Sequence, residues 1–213
     1  YENFDAGLRL MIWGFFMKLC VADRVSTYVD AVYNNYMEHS GVSLLLATFF
    51  FTFQIYCDFA GYSLIAIGSS KMMGFTLMEN FHRPYFAKSI KEFWRRWHIS
   101  LTTWFRDYIY IPLGGSRAGK WKSFRNTLVI FLVSGFWHGA NWTFVAWGAY
   151  HALLFLPLLL LGQNRRYRDS VAENSFLPSV KELTQMGATF LLVLLGVLLI
   201  VPFFTSNYII GVG

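Results

Sequence analysis

Val42-Ser-Leu-Leu-Leu-Ala-Thr-Phe-Phe-Phe-Thr-Phe-Gln-Ile-Tyr-Cys-Asp-Phe-Ala-Gly-Tyr-Ser-Leu-Ile-Ala-Ile-Gly-Ser69 runs for 28 residues with Gln54 and Asp58 as its only strongly polar members. About 20 mostly apolar residues are enough to cross the hydrocarbon layer as a helix. This stretch therefore predicts a membrane span. Working outward, Phe4–Ala22 is a weaker candidate, interrupted by Arg9 and Lys18. Gly187–Phe204 carries no charge and reads as the cleanest span. Thr127–Leu161 is apolar for 35 residues, with His138, Asn141 and His151 inside it. As one helix it would be about 52 Å long, against a hydrocarbon layer of roughly 30 Å. The expectation is two short segments meeting near Trp137–Trp142, rather than one span with a long irregular part.

Composition agrees. Only 14% of the chain is charged and 55% is hydrophobic, with a mean hydropathy of +0.41. An ordinary soluble domain carries about 25% charge. The fold class expected is all-α: a multi-span membrane helical bundle with amphipathic interfacial or re-entrant helices, read as a single domain over residues 1–213. Tyr1-Glu-Asn-Phe-Asp5 has no basic leader pattern and does not start with Met, and Ile210-Gly-Val-Gly213 reads as an interruption. The chain is expected to be a fragment of a longer one.

Basic charge gathers between Lys71 and Arg125, where eleven Lys/Arg face Glu79, Glu92 and Asp107. The positive-inside rule puts residues 71–125 on the cytoplasmic side. Phe93, Trp94, Trp97, Trp104, Phe105, Tyr108 and Tyr110 are interleaved with these charges, as in a helix lying in the membrane interface. Spacings of three and four predict one helix from Ser89 to Tyr110. Ser89 would cap it with Glu92 as capping-box partner, and Pro112 with Gly114-Gly115 would end it. Flanking spans argue against nucleic acid as a partner of this patch; membrane lipids are the expected one. A second knot, Arg165-Arg166-Tyr-Arg168, is also assigned to the cytoplasm, within a polar connector from Gln163 to Glu182.

Ionisable groups at membrane depth usually face a protein interior or a wet cavity. His138 lies in Ser134-Gly-Phe-Trp-His-Gly-Ala-Asn-Trp142. It suits a general base acting on a hydroxyl, or a hydrogen-bonded structural role. His98, in Trp94-Arg-Arg-Trp-His-Ile-Ser100, leaves the same two readings open. Arg95 and Arg96 suit phosphate groups of a cofactor, lipid headgroups or simple anchoring. Asp58, four residues after Gln54, is expected to orient the bundle or pair with a base rather than react. Cys20 and Cys57 have no partner at metal or redox spacing, and no metal is expected. His39, His82 and His151 receive no role. No nucleophile elbow, Walker loop, zinc-protease motif or dinucleotide fingerprint is present.

Five ordered blocks then carry a resemblance. They are Tyr56-Cys-Asp-Phe-Ala-Gly-Tyr-Ser63, Asn80-Phe-His-Arg-Pro-Tyr85, Phe93-Trp-Arg-Arg-Trp-His-Ile-Ser-Leu101, Phe105-Arg-Asp-Tyr-Ile-Tyr-Ile-Pro-Leu-Gly-Gly-Ser-Arg117 and Ser134-Gly-Phe-Trp-His-Gly-Ala-Asn-Trp142. Over about Tyr1 to Leu161 the chain resembles the membrane-bound O-acyltransferase (MBOAT) family. The Pro-Leu-Gly-Gly-Ser-Arg element looks more like its polysaccharide-acetylating branch than its D-alanyl-transferring one. The resemblance implies a bacterial inner-membrane enzyme passing an acetyl group from cytoplasmic acetyl-CoA to the far side. The end of that path would be O-acetylation of an exported polysaccharide such as alginate, with periplasmic acetylation proteins as partners. It implies His138 as catalytic residue and His98 as a second histidine near the cytoplasmic mouth. Arg95, Arg96, Asp58, Asn141 and Trp137 follow as substrate- or donor-binding candidates, with Asn141 beside the expected oxyanion. The alternatives kept are D-alanyl or lipid O-acyl transfer by the same fold, and a non-catalytic transport or scaffold subunit. The chain departs from the family at Val201-Pro-Phe-Phe-Thr-Ser206, where family members carry an Arg.

Overall fold

The structure is a computed structural model. It describes residues 2–115, 119–160 and 177–210, the stretch 202–210 by its backbone alone. The Arg165–Arg168 knot, Arg117 and most of the polar connector lie outside the described residues. Among the described residues the secondary structure is helical, apart from one isolated bridge between Phe81 and Trp97. Among these residues three helices are long and apolar enough to cross a membrane: Gly41–Met72, Trp142–Leu160 and Val180–Val201. The chain forms two compact units, one on residues 2–80 with the end of the last helix, the other on Phe81–Pro202.

The first unit contains α1 (Glu2–Phe15), a π-helical segment (Phe16–Ala22), α2 (Asp23–Asn34) and α3 (Gly41–Met72). The expected weaker span Phe4–Ala22 thus divides between α1 and the π segment. α3 starts where Ser40 caps it, its Oγ accepting from the Ser43 N–H at 3.3 Å. At 32 residues it is about 48 Å long. In lipid, apolar surface does not drive helices together, so close contact depends on small residues. α1 and α3 meet through four glycines. A Cβ on Gly14 would stand 2.6 Å from the Gly61 carbonyl oxygen, and one on Gly61 2.7 Å from that of Gly14. Gly7 and Gly68 oppose each other in the same way. The pairing of 7 with 68 and 14 with 61 makes the helices antiparallel. Asp58 makes an ion pair with Lys18 on the π segment at 2.5 Å, and Lys18 also pairs with Asp23 at 2.9 Å. Tyr33 ties α2 to α3 through the Thr48 hydroxyl and, at 3.2 Å, the Leu44 carbonyl.

The second unit contains α4 (Ile90–Arg96), α5 (Ile99–Phe105), a π-helical segment (Arg106–Tyr110), α6 (Lys120–His138), α7 (Trp142–Leu160) and α8, which begins at Val180. The helix expected from Ser89 to Tyr110 is therefore broken. The Arg96 carbonyl accepts from the His82 N–H at 2.9 Å instead of continuing the helical ladder. Trp97 is extended and bridges to Phe81, and His98 turns the chain in a left-handed conformation, φ 46°. The apolar spacing was consistent with one helix, but tertiary pairing with Phe81-His82 cut it.

The cap also differs in part. Ser89 does accept from the Glu92 N–H at 3.3 Å. The Glu92 carboxylate, however, reaches the Lys88 N–H at 2.7 Å rather than that of Ser89, and its other oxygen takes Arg96 at 2.5 Å. Lys88 in turn pairs with Glu182 at 3.3 Å at the start of α8. Phe93, Ile90, Ala87 and Val193 form the apolar core beside this network.

Thr127–Leu161 resolves into α6 and α7, parted at 139–141, where the two segments were expected to meet. They pack as a hairpin through Gly135 against the Phe144 carbonyl and Gly148 against the Phe131 carbonyl, contacts that leave no room for a Cβ.

Candidate functional site

The short helices α4 and α5 face α6 and α7 across a cavity of about 950 Å³. His98 and His138 both line it. Each arrives by a break in helical structure. His98 sits between α4 and α5, half-buried, with its carbonyl accepting from the Thr102 N–H at 3.0 Å to start α5. A non-glycine residue at positive φ is strained, and such strain gathers at functional sites. His138 is the last residue of α6. A Cβ on Gly139 would stand 2.7 Å from the Phe144 ring, so only glycine lets that ring close on the helix end. The His138 imidazole is held among rings, with centroids 5.0 Å from Trp137, 5.3 Å from Trp147 and 6.1 Å from Phe144. Trp137 also approaches His98, at 6.4 Å.

The two histidines share an electrostatic environment. Burial pushes the His98 imidazole down to about 4, and the neighbouring His138 pushes in the same direction. His98 is consequently a neutral group at neutral pH.

The rest of the lining divides into two chemistries. Lys91, Arg95, Arg106 and Lys120 bring positive charge. Phe105, Ile130, Phe131, Phe155 and Leu159 supply an apolar wall. Arg106 is held by Asp107 through two hydrogen bonds, at 2.7 and 3.1 Å, and keeps that carboxyl below its ordinary range. Tyr110 and Ser123, both in the lining, share a 2.6 Å hydrogen bond.

The sequence candidates are distributed unequally. His98, His138 and Arg95 line one cavity. Arg96 instead pairs with Glu92 and donates to the Arg83 carbonyl at 3.4 Å. Trp137 flanks both histidines and is largely exposed. Asn141 starts α7: its Oδ1 accepts from the Thr143 N–H at 3.0 Å and hydroxyl at 3.1 Å, leaving the amide NH2 as its donor. Asp58 belongs to the first unit and holds Lys18. Among the described residues no three His, Cys, Asp or Glu gather as metal ligands.

Sequence reasoning missed Lys91, Lys120, Trp94 and Asn126. Lys91 stands four before Arg95 on α4, and that shared face was a usable signal. Asn126 gave none. It is fully buried and donates to the Leu113 carbonyl at 3.0 Å while its Oδ1 accepts from Arg125 at 2.8 Å. It thereby fastens the 111–115 turn onto α6.

Apolar helices of spanning length and a histidine-lined cavity with cationic walls define a membrane protein with a candidate site at that cavity. The family described as MBOAT, membrane-bound O-acyltransferase, matches residues 3–197, and the chain belongs to it. It is 45% identical over 152 residues to the "Probable alginate O-acetylase AlgI" of Pseudomonas putida, covering 71% of this chain and 31% of that protein. The protein of the same name from Pseudomonas aeruginosa is 40% identical over 195 residues, covering 92% of this chain and 35% of its own length. A "Peptidoglycan O-acetyltransferase" of Helicobacter pylori is 39% identical over 153 residues, covering 72% and 29%. The chain spans about a third of the length of these relatives.

Proposed function

We propose that the whole protein is a membrane O-acyltransferase. It moves an acetyl group from cytoplasmic acetyl-CoA towards O-acetylation of an exported polysaccharide, with alginate as the leading acceptor. The observation that carries this reading is the meeting of His98 and His138 on one cavity with cationic and apolar walls, in a chain of this family. Relatives named for alginate and peptidoglycan acetylation support the acyl group and the acceptor class.

In this mechanism His138 removes the proton from the acceptor hydroxyl. The alkoxide oxygen bonds to the thioester carbonyl carbon. The tetrahedral oxyanion takes hydrogen bonds from nearby donors, among them the Asn141 amide. The C–S bond then breaks, and the departing thiolate takes the proton from His138. His98, neutral, orients the donor thioester, and Trp137 packs beside both histidines. Arg95 and Lys91 hold the donor's phosphates; Arg96 supports them through Glu92. Asp58 holds the first unit's helices together through Lys18. Residues 71–125 face the cytoplasm of the bacterial inner membrane, the side on which a CoA thioester is available. Periplasmic acetylation proteins receive the group on the other side.

The test is acetyl transfer from labelled acetyl-CoA in membranes holding the full-length protein and its natural partners. His138→Ala is expected to abolish transfer while the protein remains inserted, with His98→Ala as the companion variant. Undiminished transfer in His138→Ala would sink this mechanism.

A further inference from the structure

His151 was given no role from the sequence, yet it is 1% exposed, among the largest fully buried side chains. It lies on α7, a helix of spanning length. Its Nδ1 is buried and finds no hydrogen-bond partner among the described residues. The same is true of the indole Nε1 of Trp94. These two orphans belong to side chains in contact: the Trp94 and His151 rings are 5.0 Å apart and perpendicular. An indole N–H only donates, and a neutral imidazole can present Nδ1 as an acceptor. Buried polar groups are nearly always paired, because an unmade buried hydrogen bond is costly.

The two rings also occupy a telling place. Trp94 lines the cavity; His151 does not. His151 stacks on Phe131, another lining residue, with centroids 6.1 Å apart. It meets Trp147 at 5.0 Å, and Trp147 meets His138 at 5.3 Å. α8 also presses close: a Cβ on Gly196 would stand 2.7 Å from the His151 Nε2.

We infer that His151 is a positioning residue whose Nδ1 accepts a hydrogen bond from the Trp94 Nε1–H, directly after a small ring rotation or through one water, and so holds the cavity wall and the Trp147 ring against His138. Its kinetic consequence rests on the reading of His138 as the base. The hydrogen bond itself does not.

Two measurements on the full-length protein with its partners separate these. Ultraviolet resonance Raman difference spectra of wild type minus Trp94→Phe isolate the Trp94 indole. Its N–H marker band should lie at the hydrogen-bonded position, and should shift to the unbonded position in a His151→Phe background. A band that is unbonded in wild type, or that does not shift, would overturn the inference whatever the activity. In transfer assays Trp94→Phe and His151→Phe should each lower kcat about tenfold, the scale of one buried hydrogen bond, with little change in donor KM. The double variant should be no worse than the poorer single one. Multiplied losses would count against the pair. His151→Asn, whose Oδ1 falls near the place of Nδ1, should recover kcat, and a failure to recover would refute the acceptor role. If His151→Phe does not insert, Trp94→Phe and His151→Asn still decide. An inactive wild type would speak against the catalytic reading and leave the spectra to judge the bond.

Discussion

The two units of this protein both pack helices at glycines, but only the second is built around the cavity that holds the two histidines. The first brings α1 and α3 into backbone contact through Gly7, Gly14, Gly61 and Gly68. The second joins α6 and α7 in the same way, at Gly135 and Gly148, but also interrupts its helices, at His98 and after His138, and holds the pieces around a cavity. Close packing through glycine leaves no space for a ligand. A broken helix leaves backbone and side chains to be satisfied locally, and it frees particular groups to point into a cavity. Regularity supports the scaffold; interruption makes the site.

The contrast is broken most severely at His138. If His138 is the base of the mechanism proposed above, His138→Ala should lower acetyl transfer by about 10²–10⁴, the usual size of a general-base contribution, with the glycine contact of the first unit untouched. Measured transfer at matched insertion checks this. An equal loss of folded protein would mean that the second unit is as much scaffold as the first.

Next comes the glycine seam. Gly61→Leu should cost about 1–3 kcal/mol or more, as overpacking does, because its Cβ would meet backbone of α1. Gly187→Leu, where an added Cβ meets nothing within 4 Å among the described residues, is the control and should leave thermal stability in detergent nearly unchanged. Equal melting shifts for the two would show that the seam is not a tight contact.

Asn126→Ala should be milder, about 0.5–1.5 kcal/mol for one lost hydrogen bond, because the Leu113 carbonyl still accepts from Arg125 at 3.3 Å. It should loosen the 111–115 turn, and protease sensitivity of that turn would report it. Asn126→Asp keeps the acceptor for Arg125 but not the donor to Leu113, so an unchanged turn in that variant would shift the fastening role to Arg125.

The smallest expected effect is a pH slope. His98 is held near 4 in the fold against about 6.5 in an unfolded chain. Between those values the unfolded chain binds the extra proton, so stability falls as pH drops from about 6.5 to about 4. Above about 6.5 the contribution is complete, and below about 4 His98 causes no further loss. His98→Asn, which tolerates the left-handed backbone, should flatten melting temperature against pH in that window. An unaltered slope would place the titration elsewhere.

Much of this was readable from residue order. Val42–Ser69 and Gly187–Phe204 announced spans by length and apolarity, which depend on local composition. The split of 127–161 followed from its excess length and from glycines beside His138. His138 stood out because a polar residue in an apolar stretch is conspicuous in one dimension, and His98 because it sits beside Arg95 and Arg96 on the basic, aromatic segment. The cut between α4 and α5 did not, since Trp94, Trp97 and Leu101 keep helical spacing across it.

Hydrophobic period and charge clustering were enough for fold class and membrane character, because each is a property of neighbours along the chain. Three things waited for the tertiary structure. They are the division of labour between Arg95 in the cavity and Arg96 on Glu92, the fastening by Asn126, and the burial of His151 against Trp94. Each depends on what lies opposite a side chain, sometimes dozens of residues away in sequence. A hydrogen bond or an ion pair is specified by where its two ends meet, and that meeting is decided only when the helices pack.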